Sequence, residues 1–211
     1  MDIHALLMLT ASMFFILNPF ASLPIFVSTT KDVDPSVMKS YANKAVLVAA
    51  ILLFVFVFIG QDLMGFFGVT MDSFRTAGGL VLILMGIEIV FGIKLSQDAS
   101  EKGAPWVIIA TPILSGPGII TAAILFSEQY GLLPVIVSSI IALIITWVLL
   151  RLSPTIVRYI GIQPLEIVSK IIGLLLTAMG VEYILKGVTS WLITSDVLNV
   201  TASVVSSLGI I

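Results

Sequence analysis

The chain has 211 residues, 59% hydrophobic and only 10% charged, with a formal net charge of −2 and a mean hydropathy of +1.19. A soluble domain carries about 25% charged residues, so this chain cannot cover its own surface with polar groups, and a bilayer is the solvent that resolves this. No basic stretch suggests nucleic acid. The absence of cysteine removes disulfides and thiolate chemistry, and the one histidine, His4, sits beside the start, which argues against a His-based catalytic or zinc site.

At roughly 20 residues per span there is room for about six membrane helices. The first apolar segment runs from about Ile3 to Thr29, interrupted by Asn18-Pro19 and Pro24; the N-terminus lacks a basic n-region and a cleavage pattern, so this segment is expected to stay as a helix. The second runs from Tyr41 to Gly60 and the third from Phe74 to about Leu95. The fourth runs from Pro105 to Ser127, interrupted by Thr111-Pro112 and Ser115-Gly116-Pro117-Gly118. The fifth runs from Leu132 to Leu152 and the sixth from about Leu165 to Gly187. All are far longer than the roughly ten residues of a barrel strand. The tail from Trp191 to Ile211 is interrupted by Asp196, Asn199 and several Ser and Thr, and is expected to be interfacial rather than a seventh span.

With six spans the loops alternate sides. One side receives Lys31, Lys39, Lys44, Lys94, Lys102, Arg151, Arg158 and Lys170; the other receives only Arg75 and Lys186. This bias places the 30–40, 94–104 and 152–164 loops in the cytoplasm and both termini outside the inner (plasma) membrane.

The two halves resemble each other. Asn18-Pro19 with Pro24 is echoed 93 residues on by Thr111-Pro112 with Pro117; Gly79-Leu80, Leu82, Met85-Gly86 and Glu88 are echoed 94 residues on by Gly173-Leu174, Leu176, Met179-Gly180 and Glu182. Each half holds three spans, so the second must enter the membrane upside down, with a pseudo-two-fold axis in the membrane plane. The expected fold is an all-α membrane protein of six transmembrane helices, arranged as two inverted three-helix repeats (1–95 and 96–190, with a tail 191–211), with helices 1 and 4 discontinuous.

A proline inside a helix removes a backbone hydrogen bond, and in hydrocarbon each unsatisfied backbone group costs several kcal/mol. Such breaks survive where they are buried in protein or line a wet cavity, and paired breaks at matching depth point to a transporter site. A half-helix ending near Leu17 to Pro19 would aim carbonyls at the gap, and one beginning near Leu23-Pro24 would offer N–H groups; segment four repeats this around Pro112 and Pro117. A zwitterion matches both ends at once. The candidate substrate-binding residues are Asn18, Pro19, Ala21, Ser22, Leu23, Pro24, Thr111, Pro112, Ser115, Gly116, Pro117, Gly118 and Thr121, whose small and neutral-polar side chains leave space for a small solute.

Glu88 and Glu182 are intramembrane carboxylates and so candidates for ion coupling. Both lie nearer a helix end than its middle, and Lys186 stands one turn from Glu182, which favours an ordinary ion pair. Gly78-Gly79, Gly86, Gly173 and Gly180 suit close helix approach. Phe54, Phe56 and Phe58 are expected to face lipid, and Trp106, Trp147 and Trp191 to be interfacial anchors.

At Asn18-Pro19 to Pro24-Ile25-Phe26, and at Thr111-Pro112 to Pro117-Gly118, the sequence resembles the MarC family. The likeness extends over nearly the whole chain, including the Gly-Gly-Leu opening of segment three. It implies an integral membrane protein once linked by name to antibiotic resistance, with relatives that move small neutral amino acids such as glycine and alanine. The small groups beside the breaks give a multidrug site no support.

The function expected is secondary active transport of small neutral amino acids, coupled to H⁺ or Na⁺, by alternating access; the alternative is a passive channel or an exporter of another small polar solute. No Walker motif serves ATP-driven transport, and no nucleophile with its base or close carboxylate pair suggests an enzyme. The partners are the amino acid, the coupling ion and the lipid bilayer, with a homo-oligomer left open; no nucleic acid, metal or cofactor is expected.

Overall fold

A computed structural model describes residues 3–92 and 116–195; these form helices joined by short turns, with no strand among them. The elements are α1 (Ile3–Leu17), α2 (Pro19–Thr29), α3 (Pro35–Phe67), α4 (Met71–Phe91), α5 (Pro117–Tyr130), α6 (Leu132–Ile160) and α7 (Ile162–Thr194). Among the described residues, five stretches are long and apolar enough to cross a membrane: Ile3–Thr29, Pro35–Phe67, Met71–Phe91, Leu132–Ile160 and Ile162–Thr194. The fourth apolar segment is described only from Gly116 onward, as the 14-residue α5; Thr111, Pro112 and Ser115 lie outside the described residues.

Local chemistry sets the ends. Pro35 and Pro117 occupy the first turns of α3 and α5, where a missing N–H is harmless. Gly68 closes α3 in the left-handed region, its N–H donating to Gly65 O at 3.1 Å while Val69 N–H reaches Met64 O at 2.9 Å. Thr70 then caps α4, accepting from Ser73 N at 3.2 Å. Single glycines, Gly131 (φ 83°, ψ 164°) and Gly161 (φ 85°, ψ 170°), join α5 to α6 and α6 to α7 in a conformation that a Cβ makes costly.

Two expectations need correcting. The helices outrun the apolar segments: α3 begins six residues before Tyr41 and continues to Phe67, and α7 continues to Thr194, because once a helix is nucleated polar residues extend it until a cap or a positive φ stops it. Of the three phenylalanines on α3, Phe58 is exposed, but Phe54 packs against the core and Phe56 is half-buried. Spacing of two on a helix turns successive side chains by about 200°, so the three cannot share one lipid face.

Lipid tails are as apolar as leucine, so packing in a bilayer depends on close fit rather than on hydrophobic burial. α3 turns Ala42, Ala45, Ala49, Leu53, Val57 and Gly60 inward, and α6 turns Ser138, Ser139, Ala142, Thr146 and Ser153 inward, while Ile140, Ile141, Ile144 and Ile145 of α6 face out. Near one end of this pair, Trp147 Nε1 donates to Asn43 Oδ1 at 2.8 Å, and Arg151 lies over the Trp147 ring at 4.8 Å.

The most intimate contact joins α4 to α7. A methyl placed on Gly79 would strike the Gly180 carbonyl, and one on Gly180 would stand 2.5 Å from the Gly79 carbonyl. Seven residues along, a methyl on Gly86 would stand 2.5 Å from the Gly173 carbonyl, and one on Gly173 would stand 3.0 Å from the Gly86 carbonyl. The partners descend on one helix as they ascend on the other, so α4 and α7 are antiparallel. Gly187 continues the seam, where a methyl would stand 2.7 Å from the Asp72 carbonyl; backbone meets backbone because these five glycines remove the side chains that would separate them.

Candidate functional site

The first span contains one discontinuity. α1 stops at Leu17, Asn18 adopts a left-handed conformation (φ 41°, ψ 61°), and α2 starts at Pro19. The residue before a proline is pushed out of the right-handed helical region, and asparagine tolerates the left-handed one better than most residues. Pro24 makes no second break: α2 runs through it to Thr29. Its missing N–H removes one bond, the one Phe20 O would accept, and the turns on either side carry the helix past it. The N–H-bearing helix start thus lies at Pro19-Phe20, not at Leu23-Pro24 as the sequence suggests.

The backbone at Asn18 is partly satisfied. Its N–H donates to Phe14 O at 3.2 Å and Phe15 O at 3.1 Å, and its carbonyl accepts from Ala21 N at 3.2 Å and from Ser22 Oγ at 3.4 Å. The carbonyls of Ile16 and Leu17 end α1, and the Phe20 N–H opens α2. The side chain is the exception. Asn18 is 4% exposed; its Oδ1 accepts from Ser169 Oγ on α7 at a long 3.5 Å, and its Nδ2 is buried with no partner among the described residues. An unpaired buried amide donor costs about 1–3 kcal/mol.

Around it, Pro19, Ser22 and Leu23 are buried, and Ala21 and Pro24 are half-buried. On the second side, Gly116 is buried and caps α5, Pro117 is exposed at its first position, and Gly118 is buried, where a methyl would meet the Met85 sulfur and lie 3.2 Å from Leu82 Cδ2. Thr121 is buried, and its methyl fills the space over Gly78. Leu17 and Ile119 belong to one buried cluster that also holds Leu82 and Leu176, so the start of α5 and the end of α1 share a core. Glu88 is half-buried on α4. Glu182 is exposed and forms the ion pair with Lys186, Oε1 to Nζ 3.1 Å.

Sequence reading missed Ser169, although a signal exists: it falls on the buried Leu165, Ser169, Ile172, Leu176 stripe of α7, a hydroxyl where an aliphatic side chain is expected. It also missed Arg75, whose Nη2 lies 2.9 Å from Glu128 Oε2 and whose Nη1 lies 3.8 Å from Asp72 Oδ1, tying α4 to the end of α5. No short-range sequence feature connects positions so far apart.

A family model described as MarC family integral membrane protein matches residues 3–192. The chain is similar to a UPF0056 membrane protein of Methanocaldococcus jannaschii (30% identical over 200 residues, 89% of this chain and 98% of that one). It is similar also to the UPF0056 membrane protein YhcE of Escherichia coli (28% identical, 83% and 88% covered) and to one of Pyrococcus horikoshii (31% identical, 88% and 95% covered). No solved structure matches it.

Proposed function

Because the chain belongs to the MarC family of integral membrane proteins and opens its first span around a buried amide, we propose that it is a secondary active transporter of small neutral amino acids, of the size of glycine or alanine. It works by alternating access across the plasma membrane, coupled to H⁺ or Na⁺. The observation that carries this reading is Asn18: a left-handed residue in the middle of a span, with an amide nitrogen that is buried and unpaired among the described residues. Such a donor is costly unless something binds it, and a carboxylate accepts from it readily. The Phe20 N–H and the N–H groups at the start of α5 add donors of the same sign, and the Ile16 and Leu17 carbonyls suit an ammonium group. The surrounding Ala21, Ser22, Gly116 and Gly118 limit the guest to a small one.

Alternating access needs two arrangements of similar energy, and an inverted pair of repeats supplies them. The reciprocal glycine contacts support that reading. An offset of 94 residues turns Gly79 against Gly180 into Gly173 against Gly86, the relation that a two-fold axis across antiparallel helices imposes. The packing of α2 on α6 and α7 is matched by that of α5 on α3 and α4. The Lys/Arg bias supports both termini outside.

The test is uptake of radiolabelled glycine by the purified protein in liposomes under imposed proton or sodium gradients. Saturable accumulation driven by one gradient is expected. Equilibration without accumulation would mean a channel, and no uptake of glycine, alanine or serine under either gradient would remove the transport reading. Cysteines at Ser36, Ser100 and Gln163 should react with impermeant reagents only from the cytoplasmic side; labelling of all three from outside would reverse the orientation.

A further inference from the structure

Between α1, α5 and α7 lies an open groove of about 450 Å³ that none of the sequence-predicted break residues lines. Its polarity changes along its length. Gln129, Glu182 and Lys186 stand at one end, beside the C-terminus of α5, and both charged side chains there are more than half exposed. At the other end stand Phe15, which is about one-third exposed, and Leu176, which is fully buried and closes the groove. Leu176 and Lys186 are ten residues apart on α7, or about 15 Å along the helix.

The closed end borders the break. The Phe15 carbonyl accepts the Asn18 N–H at 3.1 Å. Leu176 lies seven residues along α7 from Ser169, which donates to the Asn18 side chain. The groove thus has a charged end and an apolar end, and the apolar end is the one nearer Asn18 along both α1 and α7.

We propose that this groove is the outer antechamber of the Asn18 site, and that its Glu182–Lys186 pair is a first docking point for a free zwitterion, with the ligand's ammonium on Glu182 and its carboxylate on Lys186. The proposal rests on the transport reading above. The two side chains already neutralise each other at 3.1 Å. A ligand of one charge would separate them and replace only one partner, whereas a zwitterion replaces both and leaves the site neutral. Ser12 lines the groove from α1, and the buried Leu176 must shift before the ligand reaches Asn18.

The chain contains no cysteine, so Ser12→Cys in the full-length protein gives a single thiol in the groove. In liposomes the thiol should react with an impermeant reagent added outside, and saturating free glycine should slow that reaction severalfold. Glu182→Gln and Lys186→Gln, each combined with Ser12→Cys, should keep the thiol reactive but abolish the protection. Gln129→Cys at the mouth reports the same protection if Ser12→Cys does not fold. A thiol that glycine leaves unprotected at both positions, or protection that survives removal of both charges, would overturn the proposal. So would a labelling rate without glycine that depends on replacing phosphatidylethanolamine by an anionic lipid, since a lipid headgroup would then be the occupant. Wild-type uptake is measured alongside: uptake with no protection removes the antechamber alone, and no uptake removes the transport reading with it.

Discussion

Two regions among the described residues treat their backbone by opposite means. At the seam between α4 and α7, glycines bring two intact helices so close that carbonyls of one stand where side chains of the other would be. Every helical turn there is kept, and the space is filled. At Asn18 a helix is interrupted, a polar side chain is buried, and its amide nitrogen has no partner among the described residues. Glycine would fit a left-handed residue without strain, as it does at Gly68 and Gly92. Asparagine there adds an amide where backbone geometry alone does not call for one. The seam is closed by packing, whereas the break leaves a polar group buried.

That contrast can be broken most forcefully at the seam. Gly79→Leu or Gly180→Leu drives a side chain into the facing backbone, and the loss should reach or exceed the upper end of the roughly 1–3 kcal/mol typical of overpacking. Little folded protein should survive purification, as judged by gel filtration and thermal unfolding in detergent. Gly65→Ala is the control, since a methyl there meets nothing within 4 Å; its Tm should be unchanged or slightly raised. Equal tolerance of both substitutions would show that the seam is not tightly packed.

At the break the outcome should invert, with binding lost and the fold kept. Asn18→Gly preserves the left-handed turn and removes the amide, so Tm should hold while glycine binding weakens by about 1 kcal/mol or more, read by calorimetric titration. Asn18→Ala should lose the same binding and a further 1–2 kcal/mol, roughly, of stability through left-handed strain. If Asn18→Gly binds glycine as tightly as the parent, the amide is a structural feature only.

Smaller effects sharpen the distinction. Ser169→Ala removes a hydroxyl whose bond to Asn18 is long, so it should weaken glycine binding by about 0.5 kcal/mol, the low end for a hydrogen bond. A larger loss than for Asn18→Gly would move the centre of the site onto α7. Smallest of all is the Arg75–Glu128 pair. Glu128 is 39% exposed, so a double-mutant cycle with glutamine at each position should give a coupling of only a few tenths of a kcal/mol. A coupling above about 1 kcal/mol would place this ion pair within the packed interface between α4 and α5 rather than on its rim.

Composition determines that this chain lives in a membrane, and the length of its apolar runs makes it helical rather than a barrel, because in hydrocarbon a helix satisfies its backbone within one segment. The Asn-Pro interruption and the glycine spacing are equally local signals, and the structure shows the break at Asn18 and the glycines in contact. What the sequence could not decide was anything that depends on neighbours. Whether Pro24 breaks its helix depends on how many turns flank it, and they suffice. Which face of α3 meets lipid was set by packing, so Phe54 went inward. Ser169 meets Asn18, and Arg75 meets Glu128, because separate helices are brought side by side. Those pairings follow from the approach distance that glycine and alanine permit between helices, a tertiary quantity that no window along the chain contains.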